Sequence, residues 1–147
     1  MFPDDEDILK VKKHIFDPFE YLLHRHKDEL LNRRFQTPLG VVAWHVPCHQ
    51  RVQNIGPKTK QVLALVPGTE INAIERCSGH DGTYGVRNDT WDKSQKIARP
   101  VIGRAKKMEA DYLVSDCPMA ATQIADGLEL KNAETNPISL LTKSNRI

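Results

Sequence analysis

Three cysteines, Cys48, Cys77 and Cys117, are the side chains of this 147-residue sequence best suited to chemistry. Thiolates bind iron and zinc and attack disulfides. Each cysteine follows a short apolar run that reads as a β-strand, at 40–45, 70–76 and 112–116. If those strands lie parallel in one sheet, all three thiols emerge at one sheet edge, where open α/β sheets bind ligands. An odd number of cysteines cannot pair fully within the chain. In a reducing compartment, clustered cysteines point to metal or redox chemistry rather than to disulfide staples. The alternative is that each is a small buried hydrophobe.

The segments around the thiols carry further donors. In His45-Val-Pro-Cys48-His49, a thiolate sits beside two imidazoles on a loop leaving a strand, and both groups ligate iron or zinc. His45 has a second reading, as a strand-end residue with one ring nitrogen satisfied by backbone. In Cys77-Ser-Gly-His-Asp-Gly-Thr-Tyr-Gly85, glycines allow the backbone to approach a bound centre and turn its N–H groups inward. The spacing matches neither the dinucleotide fingerprint nor the phosphate loop. In Asp116-Cys117-Pro-Met119, proline in a first turn puts Cys117 at a helix N-cap, where the dipole favours a thiolate.

These segments need elements to hold them. Residues 1–16 are polar and mixed and read as a flexible tail or connector, and 17–147 as a single cysteine-rich α/β domain. A helix is expected over 17–34, with Asp17 and Pro18 at its start and Phe19, Leu22, Leu23, His26, Leu30 and Leu31 on one face. Within it, His24-Arg25-His26 reads as solvated surface, since residues two apart do not share a helix face. A second helix is expected over 56–66, ended by Pro67-Gly68. A long one is expected over about 91–108, capped by Thr90 and kinked or divided by Pro100. Its buried stripe would be Ile97, Ala98, Val101, Ile102, Ala105 and Met108. A short helix should follow Cys117-Pro118, and a last one should run over 137–146. Strands alternating with helices predict an α/β fold, with a small parallel sheet of three to four strands, helices on both faces and an N-terminal helix before it.

Composition narrows the function classes. Lys plus Arg is 21 against 19 Asp plus Glu, a net charge of +2, too balanced for a nucleic-acid partner. The longest uninterrupted apolar run, Val62 to Val66, is too short to span a membrane. The acidic opening, Asp4 to Asp7, is unlike a secretory or transit leader, so a cytoplasmic protein is expected.

Across its cysteine segments the chain resembles the cysteine-rich "CCG" domains of heterodisulfide reductase, of the iron–sulfur subunit of glycolate oxidase and of anaerobic glycerol-3-phosphate dehydrogenase. His45-Val-Pro-Cys48-His49 matches the family's His-x-Pro-Cys-His, and Cys77 to Gly85 matches its Cys-Cys-Gly-x-x-Gly-Thr-hydrophobic-Gly. Asp116-Cys117-Pro-Met-Ala120 matches Cys-Pro-x-Cys, and Asn136-Pro-Ile-Ser-Leu-Leu141 is similar to the family's His-Pro-Ile-hydrophobic ending. Ser78 and Ala120 stand where the family carries two further cysteines.

The resemblance implies an iron–sulfur redox domain, acting in electron transfer within an oxidoreductase complex. Cys48, Cys77 and Cys117 would hold a 4Fe–4S cluster, or in the alternative one zinc or iron, with His80 the nearest candidate for a further ligand. His45, His49, Ser78, Gly79, Asp81, Gly82 and Asp116 would surround the centre and tune it. The implied partner is an electron-donating or flavin-containing redox protein, which could also bring the chain to a membrane surface. Two rival readings stand beside this one. One is a structural zinc-binding or docking subunit. The other is a metal-free thiol–disulfide oxidoreductase, with Cys117 as nucleophile and Cys77 resolving.

Overall fold

The computed structural model describes residues 4–131 and 133–145. The chain divides into two compact units, residues 1–31 and 32–147. The stretch read as a tail or connector, of which residues 1–3 lie outside the described residues, carries helix α1, Glu6–His14. Asp5 caps α1 by accepting from the amides of Asp7 and Ile8. Helix α2, Pro18–Lys27, opens with a capping box in which Asp17 and Glu20 satisfy each other's backbone N–H groups. It ends well before the expected residue 34. Asp28 returns its N–H to the carbonyls of His24 and His26, and Glu29 turns left-handed at φ 59°. Leu30, expected on the buried stripe, is exposed.

The second unit is an α/β layer structure with three parallel strands: β1 Gly40–His45, β2 Thr69–Ile74 and β3 Tyr112–Ser115. Their order is β2-β1-β3. Parallel pairing puts His45 level with Ile74 on one side and with Ser115 on the other. The helices that follow are α3 Cys48–Val52, α4 Lys58–Leu63, α5 Trp91–Lys107, α6 Pro118–Gly127 and α7 Pro137–Ser144. Asn136 caps α7 through the amides of Ile138 and Ser139. The expected end of that helix at 146 lies outside the described residues.

Side-chain alternation along the strands divides the sheet into two faces. On one, Ala43, Ile74 and Leu113 form a core with Val101 and Ala105 of α5 and Ile124 and Ala125 of α6. On the other, Trp44 lies in a cavity wall with Lys60 and Gln61 of α4 and with Ala64 at its end. There Lys143 of α7 also sits 4.8 Å over the Tyr112 ring. With both faces covered, β1 is buried from Val42 to His45.

Helix α5 is not divided at Pro100, and Lys96, whose carbonyl loses its partner there, is exposed and accessible to water. It departs from expectation in two ways. Thr90 precedes it without a side-chain cap and instead donates its hydroxyl to the Tyr84 carbonyl at 2.6 Å. Ile97, expected in the buried stripe, is 45% exposed and lines a cavity instead. The helix over 56–66 shortens to α4, and Cys48, expected on a loop, is the first residue of α3.

Candidate metal centre

The segments leaving the C-terminal ends of β1, β2 and β3 border a cavity of about 420 Å³. Cys48, Cys77 and Cys117 all line it, as do His45, His49 and His80. Ser78 and Ala120, which occupy the remaining cysteine positions of the motif, line it too, both buried at 8% and 4% exposure. Gly79, Asp81, Gly82 and Tyr84 complete that loop's contribution. Parallel pairing produces this convergence, because all three strands run in the same direction and all three loops leave at one edge.

Asp116, expected beside the centre, stands outside the cavity lining. Its carboxylate accepts from Trp44 Nε1 at 2.8 Å and from Thr59 Oγ1 at 2.7 Å, tying β3 to β1 and α4. A larger cavity, about 670 Å³, is lined by Trp44, Val46, Gln50 and α4 residues and contains none of the cysteines. Trp44 lines that one and His45 the cysteine cavity, as alternation along β1 requires.

Each cysteine is free. Cys77 Sγ accepts the Gly79 N–H at 3.3 Å, and Cys48 Sγ accepts from the Arg51 guanidinium at 3.3 Å. Cys117 occupies the N-cap of α6, its own N–H donating to Ser115 Oγ at 3.3 Å. His45 Nε2 lies 2.8 Å from the Arg76 carbonyl, and Nδ1 lies 2.9 Å from Ser115 Oγ. A carbonyl only accepts, so Nε2 carries the proton and Nδ1 of the neutral ring accepts from the serine hydroxyl. Burial pushes this imidazole's pKa below its ordinary value. The Arg51 charge adds to that, and the bond to the Arg76 carbonyl opposes it.

Two side chains not singled out from sequence hold the loop. Gln123 of α6 donates through Nε2 to the Ser78 carbonyl at 2.7 Å and to Ser94 Oγ at 2.8 Å. Ser94 of α5 in turn donates to the Gly79 carbonyl at 2.7 Å. All three residues, Ser78, Ser94 and Gln123, are buried. Ser94 continues the buried stripe of Ala98, Val101 and Ala105 at helical spacing, and a polar residue on an apolar stripe was the available signal. Gly79 has φ 79°, and a Cβ there would run into the Ser94 carbonyl. Glycine is therefore required for the loop to lie this close to α5.

The donor set suits an iron–sulfur cluster in kind: three thiols with imidazoles around one cavity, and the Gly79 amide on the Cys77 sulfur. Among the described residues, however, no three His, Cys, Asp or Glu side chains stand close enough to hold a metal ion as they are placed. Cys48 and Cys77 are exposed and turned toward Arg51 and Gly79. Ligation requires the three sulfurs to come closer together than they stand here.

The family model described as a cysteine-rich domain (CCG) matches residues 42–125. A subunit of the anaerobic glycerol-3-phosphate dehydrogenase of Escherichia coli (strain K12) is 32% identical over 108 residues, 73% of this chain and 26% of that subunit. An uncharacterized iron-sulfur protein of Methanococcus maripaludis is 29% identical over 96 residues, 62% of this chain and 19% of that protein. The match thus covers about a quarter or less of these relatives. No solved structure matches significantly.

Proposed function

This chain belongs to the cysteine-rich (CCG) domain family, and from that membership we propose that it is the cluster-holding domain of an iron–sulfur oxidoreductase. The observation that carries the reading is the convergence of Cys48, Cys77 and Cys117, from three separate strand ends, on one cavity. These three thiolates would be the ligands, with His80 a candidate nitrogen donor for a further position. Bound there, a cluster of the 4Fe–4S type supplies one-electron transfer.

The chain's own residues prepare that environment. The loop 77–85 has its backbone fixed by Ser94 and Gln123 at the Gly79 and Ser78 carbonyls, and its Gly79 N–H lies on the Cys77 sulfur. Hydrogen bonds to a thiolate stabilise its negative charge and raise the potential of a centre bound to it. His45, neutral and held at both nitrogens, keeps the ends of β1, β2 and β3 in register beside the ligands. The electron partner would be a flavin-containing or other redox protein of the same complex. The E. coli relative, named as a dehydrogenase subunit, supports that reading.

Purification without oxygen, with iron, acid-labile sulfide and zinc quantified and the visible spectrum recorded, tests the proposal. Iron and sulfide in similar amounts with broad visible absorption are expected, and both should be lost on replacing Cys77 by Ser. A colourless, metal-free chain would sink the reading. Zinc without sulfide would replace it with a structural zinc site.

A further inference from the structure

Cys77 borders a second space. A groove of about 450 Å³ is lined by Arg76, Cys77, Ile97, Pro100 and Arg104. Cys77 and Ile97 line both this groove and the cysteine cavity, so they form the boundary between the two. The two arginines come from different elements, Arg76 just past β2 and Arg104 in α5. Neither is in an ion pair: among the described residues those are Lys10–Asp7 and Arg87–Asp89. Among the described residues, no acidic side chain lines the groove. Both arginines are exposed, so water screens them from each other, and each guanidinium offers paired N–H donors matched to carboxylate or phosphate oxygens.

The frame is fixed on both sides. The Arg76 carbonyl is held by His45, and Arg104 sits on the 17-residue α5. Ile97 and Pro100 supply apolar wall between the charges and the thiol. We propose that Arg76 and Arg104 form an oxyanion subsite that seats the carboxylate or phosphate of a small organic ligand, with its carbon body on Ile97 and Pro100 and its other end beside Cys77. This goes beyond the cluster assignment, since the subsite is built by residues outside the ligand set and serves Cys77 whether or not its sulfur holds metal.

Alkylation rates at each cysteine of the metal-free full chain, mapped by peptide mass, test the subsite. Iodoacetate and iodoacetamide react alike, the thiolate sulfur forming a bond to carbon as iodide leaves, but only iodoacetate carries a carboxylate. Relative to Cys117, Cys77 should favour iodoacetate over iodoacetamide. Arg76→Gln or Arg104→Gln should each reduce that preference by about two- to fivefold, the scale of one exposed ion pair. Lys106→Gln removes the same charge from α5 but lies outside the groove, and should leave the preference intact. Inorganic phosphate should slow the iodoacetate reaction at Cys77 in the parent chain and not in the arginine variants. Protection by phosphate without an iodoacetate preference assigns the subsite to phosphate groups. Absence of both effects, or a Lys106→Gln loss equal to that of Arg104→Gln, overturns the proposal.

Discussion

His45 has one neutral tautomer compatible with its neighbours, and a proton added at Nδ1 would turn the acceptor of the Ser115 hydroxyl into a donor. Its depressed pKa has a definite consequence for stability. Below about pH 6.5, the ordinary histidine value, the unfolded chain takes up a proton that the folded chain refuses. Stability should therefore fall as pH drops through that window, by at most about 1.4 kcal/mol per pH unit for one proton. His45→Gln should flatten the slope, which urea denaturation between about pH 7 and 5 would reveal. Gln123 presents a simpler case. Gln123→Leu leaves the buried Ser78 carbonyl without its donor and takes a partner from Ser94, so a loss of about 2–4 kcal/mol is expected in the same denaturation measurement. Lower iron content in the purified variant should accompany it.

The loop over residues 77–85 and helix α5 respond oppositely to glycine replacement. At Gly85 an added Cβ would lie 2.6 Å from Gln123 Oε1 and 2.9 Å from His80 Nδ1. Gly85→Ala should push the loop off α6 and cost about 1–3 kcal/mol, read as a lower thermal midpoint together with reduced iron retention. At Gly103, inside α5, a Cβ meets nothing within 4 Å. Gly103→Ala should stabilise by about 0.5–1 kcal/mol, since alanine gives up less backbone freedom in a helix, and should leave iron content unchanged. Helices α5 and α6 thus act as the clamp for a loop that forms neither helix nor strand over its own length. The helix starts read well from sequence because caps and first-turn prolines are local: Asp17-Pro18, Cys117-Pro118 and Asn136-Pro137 all open helices where expected. The end of α2 reads poorly. It depends on how the chain and water complete the backbone hydrogen bonds, which residue type does not specify.

For the whole molecule, the cavity accommodates five cysteine positions of which three carry thiols. The double variant Ser78→Cys with Ala120→Cys should bind more iron and sulfide per chain than the parent, because both positions already line the cavity. If metal content does not change, the departures at Ser78 and Ala120 do not limit the site. The sequence alone determined the strand-helix alternation, the three thiols at strand ends and the glycine loop, because periodicity and residue chemistry are properties of neighbours along the chain. It could not determine that Asp116 accepts from Trp44 and Thr59. Nor could it single out Gln123 and Ser94 as the loop's anchors, or set Arg104 beside Arg76 and Cys77. Those assignments join residues far apart in sequence. They follow from the strand order β2-β1-β3 and from the sheet face on which α5 and α6 pack, and so only the tertiary structure decided them.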